Sequence, residues 1–286
     1  MAHVLAAEAL GTFVMMLFGM GVSGQVTFSK AASCAAGTPI ATATASAGNW
    51  VSISLGWGLA VFFGIVVSGG VSGAHLNPAV TIALAAFGRH PWAQVAPYVL
   101  AQTLAAFVAA AVIYAEYHSA LLNWGEHCCG GHPFRIGAGG CNGAGVWTTF
   151  PQSFETIGEG FIDQVLGTAL LLLGIFAIND DAQRGPGNAS GPITKAAAVA
   201  ALVVAIGASF GFATGYAINP ARDFGPRLFT SLAGFGAQVW SAGHAWWWVP
   251  IVAPTLGGLV GAGLYEGVVG RWVQQRQDDK SDDVLV

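Results

Sequence analysis

Charge is what this chain has least of. Ten Lys+Arg and 14 Asp+Glu among 286 residues make 8% charged residues, where a soluble globular chain carries about a quarter. So few charges cannot cover the water-facing surface of a chain this long, which argues against a soluble enzyme. The basic residues are too few, and the net charge of -4 has the wrong sign, for a nucleic-acid-binding surface. Disorder is excluded by the opposite surplus, an apolar fraction of 54% that includes 17 Phe and 10 Trp. Glycine is the other abundant residue, at 41, and it is used more freely in membrane helices than in soluble ones. The composition is that of an integral membrane protein.

A bilayer core of about 30 Å asks for about 20 consecutive apolar residues in a crossing helix. Six such stretches can be marked off: Leu5 to Gly24, Trp50 to Gly70, Ala93 to Tyr114, Phe161 to Ile178, Ala196 to Tyr216 and Trp246 to Val268. Charge enters them only near their ends, at Glu8, Asp163 and Glu266. The first has no basic leader and no small-residue cleavage site, so it reads as a retained membrane helix. An even number of crossings puts both termini on one side. Arg89, Arg184, Lys195, Arg271, Arg276 and Lys280 fall on that side and only Lys30 and Arg135 on the other, with Arg222 and Arg227 set aside. That bias predicts cytoplasmic termini.

Cysteine is scarce too. Cys34, Cys128, Cys129 and Cys141 all lie in the two far-side loops, where an oxidising compartment would permit disulfides. A metal site around Glu126, His127, Cys128, Cys129 and His132 is the weaker alternative, because the spacing matches no established ligand pattern. Asn188-Ala189-Ser190 fits a glycosylation acceptor but falls on the cytoplasmic side, so the match reads as chance.

Two stretches between spans resemble each other. Ser72-Gly73-Ala74-His75-Leu76-Asn77-Pro78-Ala79-Val80 follows the second span, and Thr214-Gly215-Tyr216-Ala217-Ile218-Asn219-Pro220-Ala221-Arg222 follows the fifth. A second echo pairs Glu8 and Thr12 in the first span with Gln164 and Thr168 in the fourth. Each half therefore holds three spans, an odd number, and the two copies must insert with opposite orientation. Asn is a favoured N-cap and Pro a favoured first helical residue, so both Asn-Pro-Ala motifs predict helix starts. The apolar residues after each, Ala79 to Phe87 and Ala221 to Ser231, suffice for half a bilayer. Two re-entrant half-helices would then meet N-terminus to N-terminus near the midplane, where their dipoles repel cations and protons. With the Asn oxygens used as caps, the amide NH₂ groups are expected to be free to donate into a lumen. The expected fold is an all-α membrane protein with six transmembrane helices, two re-entrant half-helices and an inverted repeat. It forms one channel domain, with a first repeat over 1–115, an extracellular connecting loop over 116–157, a second repeat over 158–270 and a cytoplasmic tail over 271–286.

On these residues the sequence resembles the aquaporin superfamily, and within it the glycerol-channel branch, the aquaglyceroporins. Asp223 after the second motif, Arg227 within Asp223-Phe224-Gly225-Pro226-Arg227, and Pro250-Ile251 in the last span are similar to that branch. The resemblance implies a homotetramer in which each protomer has its own pore, conducting glycerol, water and small neutral solutes such as urea, with no cofactor. It also implies a selectivity filter built from four positions: Trp57 and Gly207, counted back 20 residues from Asn77 and 12 from Asn219, together with Tyr216 and Arg222. Gly207 is the informative one, because water channels place His there and a glycine leaves room for a carbon skeleton. Trp57 and Tyr216 would offer an aromatic corner to CH groups, and Arg222 would donate to hydroxyls.

By the same resemblance His75 lines the pore, and a neutral ring holding the re-entrant loop is favoured over a pH gate. Glu8 and Gln164 brace the two half-helix loops, and Asp223 holds the loop after Arg222. Gly58, Gly167, Gly211 and Gly261 serve close helix packing. No enzyme is expected, since Ser72 and His75 have no third orienting group. A coupled transporter is the rival reading, but it needs an ion-binding group at the midplane, where this chain offers Asn77 and Asn219. A plasma-membrane location completes the expectation.

Overall fold

The computed structural model describes residues 1–136, 140–180 and 191–272. Its helices are α1 (Ala2–Phe28), α2 (Ala31–Ala35), α3 (Trp50–Ser72), α4 (Pro78–Ala86), α5 (Trp92–Cys128), α6 (Ile157–Asn179), α7 (Pro192–Thr214), α8 (Pro220–Thr230), α9 (Gln238–Ala245) and α10 (Val249–Tyr265). Six helical segments among the described residues are long and apolar enough to cross a membrane. The Asn188-Ala189-Ser190 acceptor, Arg184 and the tail beyond Trp272 lie outside the described residues.

Local chemistry sets the helix ends. Asn49 caps α3 by accepting from the Val51 and Ser52 amides, and Ser52 Oγ accepts from the Asn49 amide in return. Thr156 and Glu159 make the same reciprocal box at the start of α6. Both α3 and α7 stop at a glycine in the left-handed region, Gly73 (φ 82°) and Gly215 (φ 77°), where a side chain would be strained.

Helix α5 is the main departure from the sequence expectation. It has 37 residues and runs to Cys128, through the first part of the stretch read as a connecting loop. At about 1.5 Å per residue it outreaches a bilayer core, so its last turns stand clear on the far side. The apolar run ends near Tyr114, yet the helix continues because one face stays apolar. Leu121 and Trp124 on that face are fully buried, with Trp124 edge-on to Phe28 at 5.9 Å. Two disulfides tie this end down, Cys34–Cys128 and Cys129–Cys141. All four thiols are thereby used, which takes the thiolates out of the metal alternative.

The halves α1–α5 and α6–α10 repeat each other in an inverted sense. Thr12 Oγ1 donates to the Glu8 carbonyl and Thr168 Oγ1 to the Gln164 carbonyl, both at 2.8 Å. Small residues let helices touch backbone to backbone: a Cβ on Gly261 would overlap the Ala169 carbonyl, and one on Gly58 would stand 2.9 Å from the Ala200 carbonyl. Large apolar side chains such as Leu59, Val108, Ile162 and Leu256 point outward, as a lipid-facing surface requires.

Candidate functional site

The centre of the molecule is built by the two Asn-Pro-Ala segments. Asn77 Oδ1 accepts from the Ala79 amide at 2.9 Å and caps α4; Asn219 Oδ1 accepts from the Ala221 and Arg222 amides at 3.0 and 3.2 Å and caps α8. Pro78 and Pro220 are the first helical residues, as their fixed φ favours. The two caps are also cross-linked. Asn77 Nδ2 donates to the Ile218 carbonyl and Asn219 Nδ2 to the Leu76 carbonyl, each at 2.8 Å. This corrects the expectation of two free NH₂ groups, because one N–H of each amide is engaged across the pseudo-two-fold and one remains.

The backbone leading into each cap is strained in the same pattern. Ala74 and Leu76 (φ 49° and 55°) match Tyr216 and Ile218 (φ 36° and 42°), four non-glycine residues in the left-handed region. Such residues cost about 1–3 kcal/mol each and persist only where the surroundings hold them. Glu8, fully buried, holds the first loop: its oxygens accept from Ser72 Oγ at 2.6 Å, the His75 amide at 3.3 Å, the Leu76 amide and Gln102 Nε2 at 2.8 Å. In the second loop Gln164 Oε1 accepts from the Ile218 amide at 2.9 Å, and its Nε2 donates to Thr214 Oγ1 at 2.6 Å. The Thr214 hydroxyl donates in turn to Asp163 Oδ2. Asp163 therefore supplies the carboxylate that Gln164 lacks. In the sequence alone Asp163 is only a charge near a span end.

His75 lies beside this frame with its Nδ1 3.0 Å from Thr81 Oγ1. Its ring sits 4.7 Å from His90 and 4.9 Å from Tyr98, whose hydroxyl donates to the Ser72 carbonyl. Burial holds the His90 imidazole below its ordinary pKa, against the opposing field of Glu8.

Toward the far side lie two contacting pairs, Arg222 with Trp57 and Gly207 with Tyr216. Arg222 is buried, with NH1 donating to the Trp147 carbonyl at 3.1 Å and its guanidinium carbon 4.5 Å over the Trp57 ring. Trp57 is fixed in turn by its N–H to Ser23 Oγ at 3.2 Å. Gly207 lies against the Tyr216 ring. A Cβ there would stand 2.7 Å from Tyr216 Cζ and 2.9 Å from its hydroxyl, so the vacated space holds the Tyr216 ring. Tyr216 itself belongs to the loop after α7, which ends at Thr214, rather than to the fifth span.

Asp223 anchors the segment that carries Trp147. Its Oδ2 accepts from the Thr149 amide and hydroxyl at 2.7 and 2.6 Å, and its Oδ1 from Arg227 Nε at 2.8 Å. Arg227 donates onward to the Thr149 and Val239 carbonyls, both at 2.6 Å. Both members of the pair are fully buried. The roles of the Trp147 carbonyl and of Thr149 left no mark in the sequence, since a backbone acceptor has no residue signature.

A cavity of 720 Å³ runs from this level past the paired caps toward the chain ends. Trp57, Tyr216 and Arg222 line it at one end, His75, Asn77 and Asn219 at the middle, and Arg89 and Lys195 at the other. Val61, Ile65, Val199 and Val203 give it apolar walls opposite the polar loop segments. At its terminal mouth Arg89 pairs with Glu266 and lies 4.3 Å over the Phe176 ring. A channel with one apolar wall, one polar strip and strained loops facing the lumen suits a small solute that is part hydrocarbon and part hydroxyl.

Comparison with known proteins agrees with this geometry. The sequence profile described as Major intrinsic protein matches residues 1–265. The chain is 43% identical over 263 residues to Aquaglyceroporin-2 of Rhizophagus irregularis, covering 92% of this chain and 76% of that protein. It is 40% identical over 269 residues to Aquaporin-10 of Homo sapiens, covering 94% and 81%. Among solved structures, the aquaglyceroporin from Plasmodium falciparum superposes with a TM-score of 0.79 at 31% identity, covering 95% of this chain and 98% of that one.

Proposed function

Because this chain belongs to the major intrinsic protein family, we propose that it works as a passive pore in which the Trp57, Tyr216 and Arg222 level selects solutes and the paired Asn caps pass them on. It is a multi-pass membrane channel for glycerol and water, and not an enzyme. The finer reading adds urea and other small polyols to the permeant set and excludes ions and protons.

The observation that carries the reading is the reciprocal pair Asn77 to Ile218 and Asn219 to Leu76 within the lined cavity. It holds the N-termini of α4 and α8 against each other, so two positive helix ends face one point of the lumen. A permeating water or hydroxyl meets the remaining amide N–H of each Asn and the loop carbonyls. A cation meets the two dipoles and the fixed charge of Arg222. The glycerol preference rests on the aromatic edges of Trp57 and Tyr216 facing CH groups while Arg222 donates to oxygens. Support for cytoplasmic termini comes from the basic residues of the terminal side, Arg89 and Lys195 among them. A homotetramer in the plasma membrane completes the reading, as the resemblance implies.

The rival is coupled transport. Glycerol uptake into proteoliposomes at a series of outward and inward gradients separates the two. A pore gives flux linear in the glycerol gradient and indifferent to imposed H⁺ or Na⁺ gradients; accumulation driven by either ion would replace this reading with a transporter.

A further inference from the structure

Packing from two sides positions the ring that borders the pore beside Gly207. The Tyr216 hydroxyl is buried with Ser54 as its polar neighbour, and the residue's backbone is itself in the left-handed region at φ 36°. The ring is held at its faces by packing. Beneath it are two glycines one turn apart on α7: a Cβ on Gly207 would stand 2.7 Å from Tyr216 Cζ, and one on Gly211 would stand 2.8 Å from Tyr216 Cδ1.

The other side is Trp50, the first residue of α3. Its ring meets the Tyr216 ring edge to face, with centroids 6.0 Å apart and planes at 75°. Its indole N–H donates at 2.9 Å to the carbonyl of Gly207, a residue 157 positions away in the other half of the chain. Gly211 serves this residue too, since a Cβ there would overlap Trp50 Cζ2. Trp50 is fixed at its own backbone by the Asn49 cap and by Ser54 Oγ, which donates to the Trp50 carbonyl at 3.0 Å. One side chain thus touches the glycine that makes the space and the tyrosine that fills it.

We propose that Trp50 is a positioning residue for solute selection: it holds Tyr216 against Gly207 and thereby sets the largest polyol the pore admits. The inference rests on the glycerol-channel reading and deepens it. With the indole removed, the Tyr216 ring gains room to swing away from Trp57 and Arg222, and the aperture widens for a solute with one more carbinol group. With a phenyl in its place, the edge-to-face contact survives but the tie to α7 is lost. A methyl group added at Gly211 pushes on both rings at once and moves Tyr216 toward the lumen.

The test uses purified full-length wild type, Trp50→Ala, Trp50→Phe and Gly211→Ala in proteoliposomes, with glycerol, erythritol and water fluxes read on the same preparations. Flux ratios are independent of how much folded channel each preparation holds. Trp50→Ala is expected to raise the erythritol-to-glycerol ratio by about tenfold, the lower end of what a small change in pocket fit discriminates. Trp50→Phe is expected to raise it by less, and Gly211→Ala to lower glycerol relative to water. If Trp50→Ala does not fold, the other two variants still decide the matter. Equal loss of all three fluxes with unchanged ratios overturns the proposal and leaves Trp50 a packing residue. A wild type that passes water but no glycerol overturns both this inference and the reading beneath it.

Discussion

Gly207 and Tyr216 share one volume: a Cβ on the glycine would stand 2.7 Å from Cζ of the tyrosine ring, nine residues along the chain. The smallest side chain and one of the largest therefore act as a unit, and a change at either is felt through the other. Gly207→His forces the Tyr216 ring off its shelf and into the lumen. The expected result is a fall in glycerol permeability of about tenfold or more with water permeability within a factor of a few, as for other single-group changes in pocket fit. Paired shrinkage and reswelling rates on the same liposomes measure both, and unchanged glycerol flux would remove Gly207 from the filter.

Glu8 is the first-half brace, with four donors on its two oxygens. Glu8→Gln replaces one acceptor by a donor and points it at groups that are donors themselves. Hydrogen bonds to a charged group are worth about 1.5–3 kcal/mol each, so loss of even one or two lowers the midpoint of thermal unfolding in detergent by several degrees. Osmotic water permeability per folded channel is expected to fall as well, because the strained Ala74 and Leu76 backbone loses its support. A Glu8→Gln protein with wild-type unfolding and flux would show that the loop holds itself.

Two ion pairs offer an internal contrast. Asp223 and Arg227 are fully buried, whereas Arg89 and Glu266 keep about a third of their side chains in solvent. Asp223→Asn leaves Arg227 charged and unpaired in the interior, a change that costs about 3–5 kcal/mol. Glu266→Gln removes a screened partner worth less than about 1 kcal/mol. Thermal unfolding of the two variants side by side should rank them in that order; the reverse order would mean that the Thr149 contacts alone carry the anchor.

The disulfides differ in the loop they close. Cys34–Cys128 joins residues 94 apart and Cys129–Cys141 residues 12 apart. Loop-closure entropy assigns about 4.7 kcal/mol to the first and about 2.8 kcal/mol to the second. Replacing Cys34 and Cys128 together by Ser should therefore lower the unfolding midpoint more than the same change at Cys129 and Cys141. Non-reducing and reducing peptide maps check the pairing itself, and a Cys34 peptide linked to Cys141 would contradict it.

Much of this architecture is legible in the sequence because membranes impose one-dimensional rules. Six apolar runs, two Asn-Pro-Ala starts and the Glu8 and Gln164 echo follow from hydropathy, capping preference and repetition. What escapes that kind of reading is contact made by backbone or across the fold. The continuation of α5 to Cys128 depends on Leu121 and Trp124 joining a buried cluster with Phe28 and Trp147, and nothing in residues 115–128 alone announces it. The Trp147 carbonyl that receives Arg222 has no residue code. Asp163 shows in the sequence as a charge, but its purpose depends on Thr214, 51 residues later. Trp50 reads in the sequence as the start of a span, and only its contacts with Gly207 and Tyr216 give it a place beside the filter.

We propose a pore for glycerol and water in which solutes are selected at Trp57, Tyr216 and Arg222. The most direct measurement is stopped-flow light scattering on proteoliposomes of the purified protein, shrunk osmotically and then reswollen by glycerol, with mannitol as the larger control. Such a pore gives fast shrinkage in mannitol without recovery, and glycerol-driven reswelling far above that of empty liposomes. Fast shrinkage with reswelling no faster than in empty liposomes would contradict it and leave a pore for water alone.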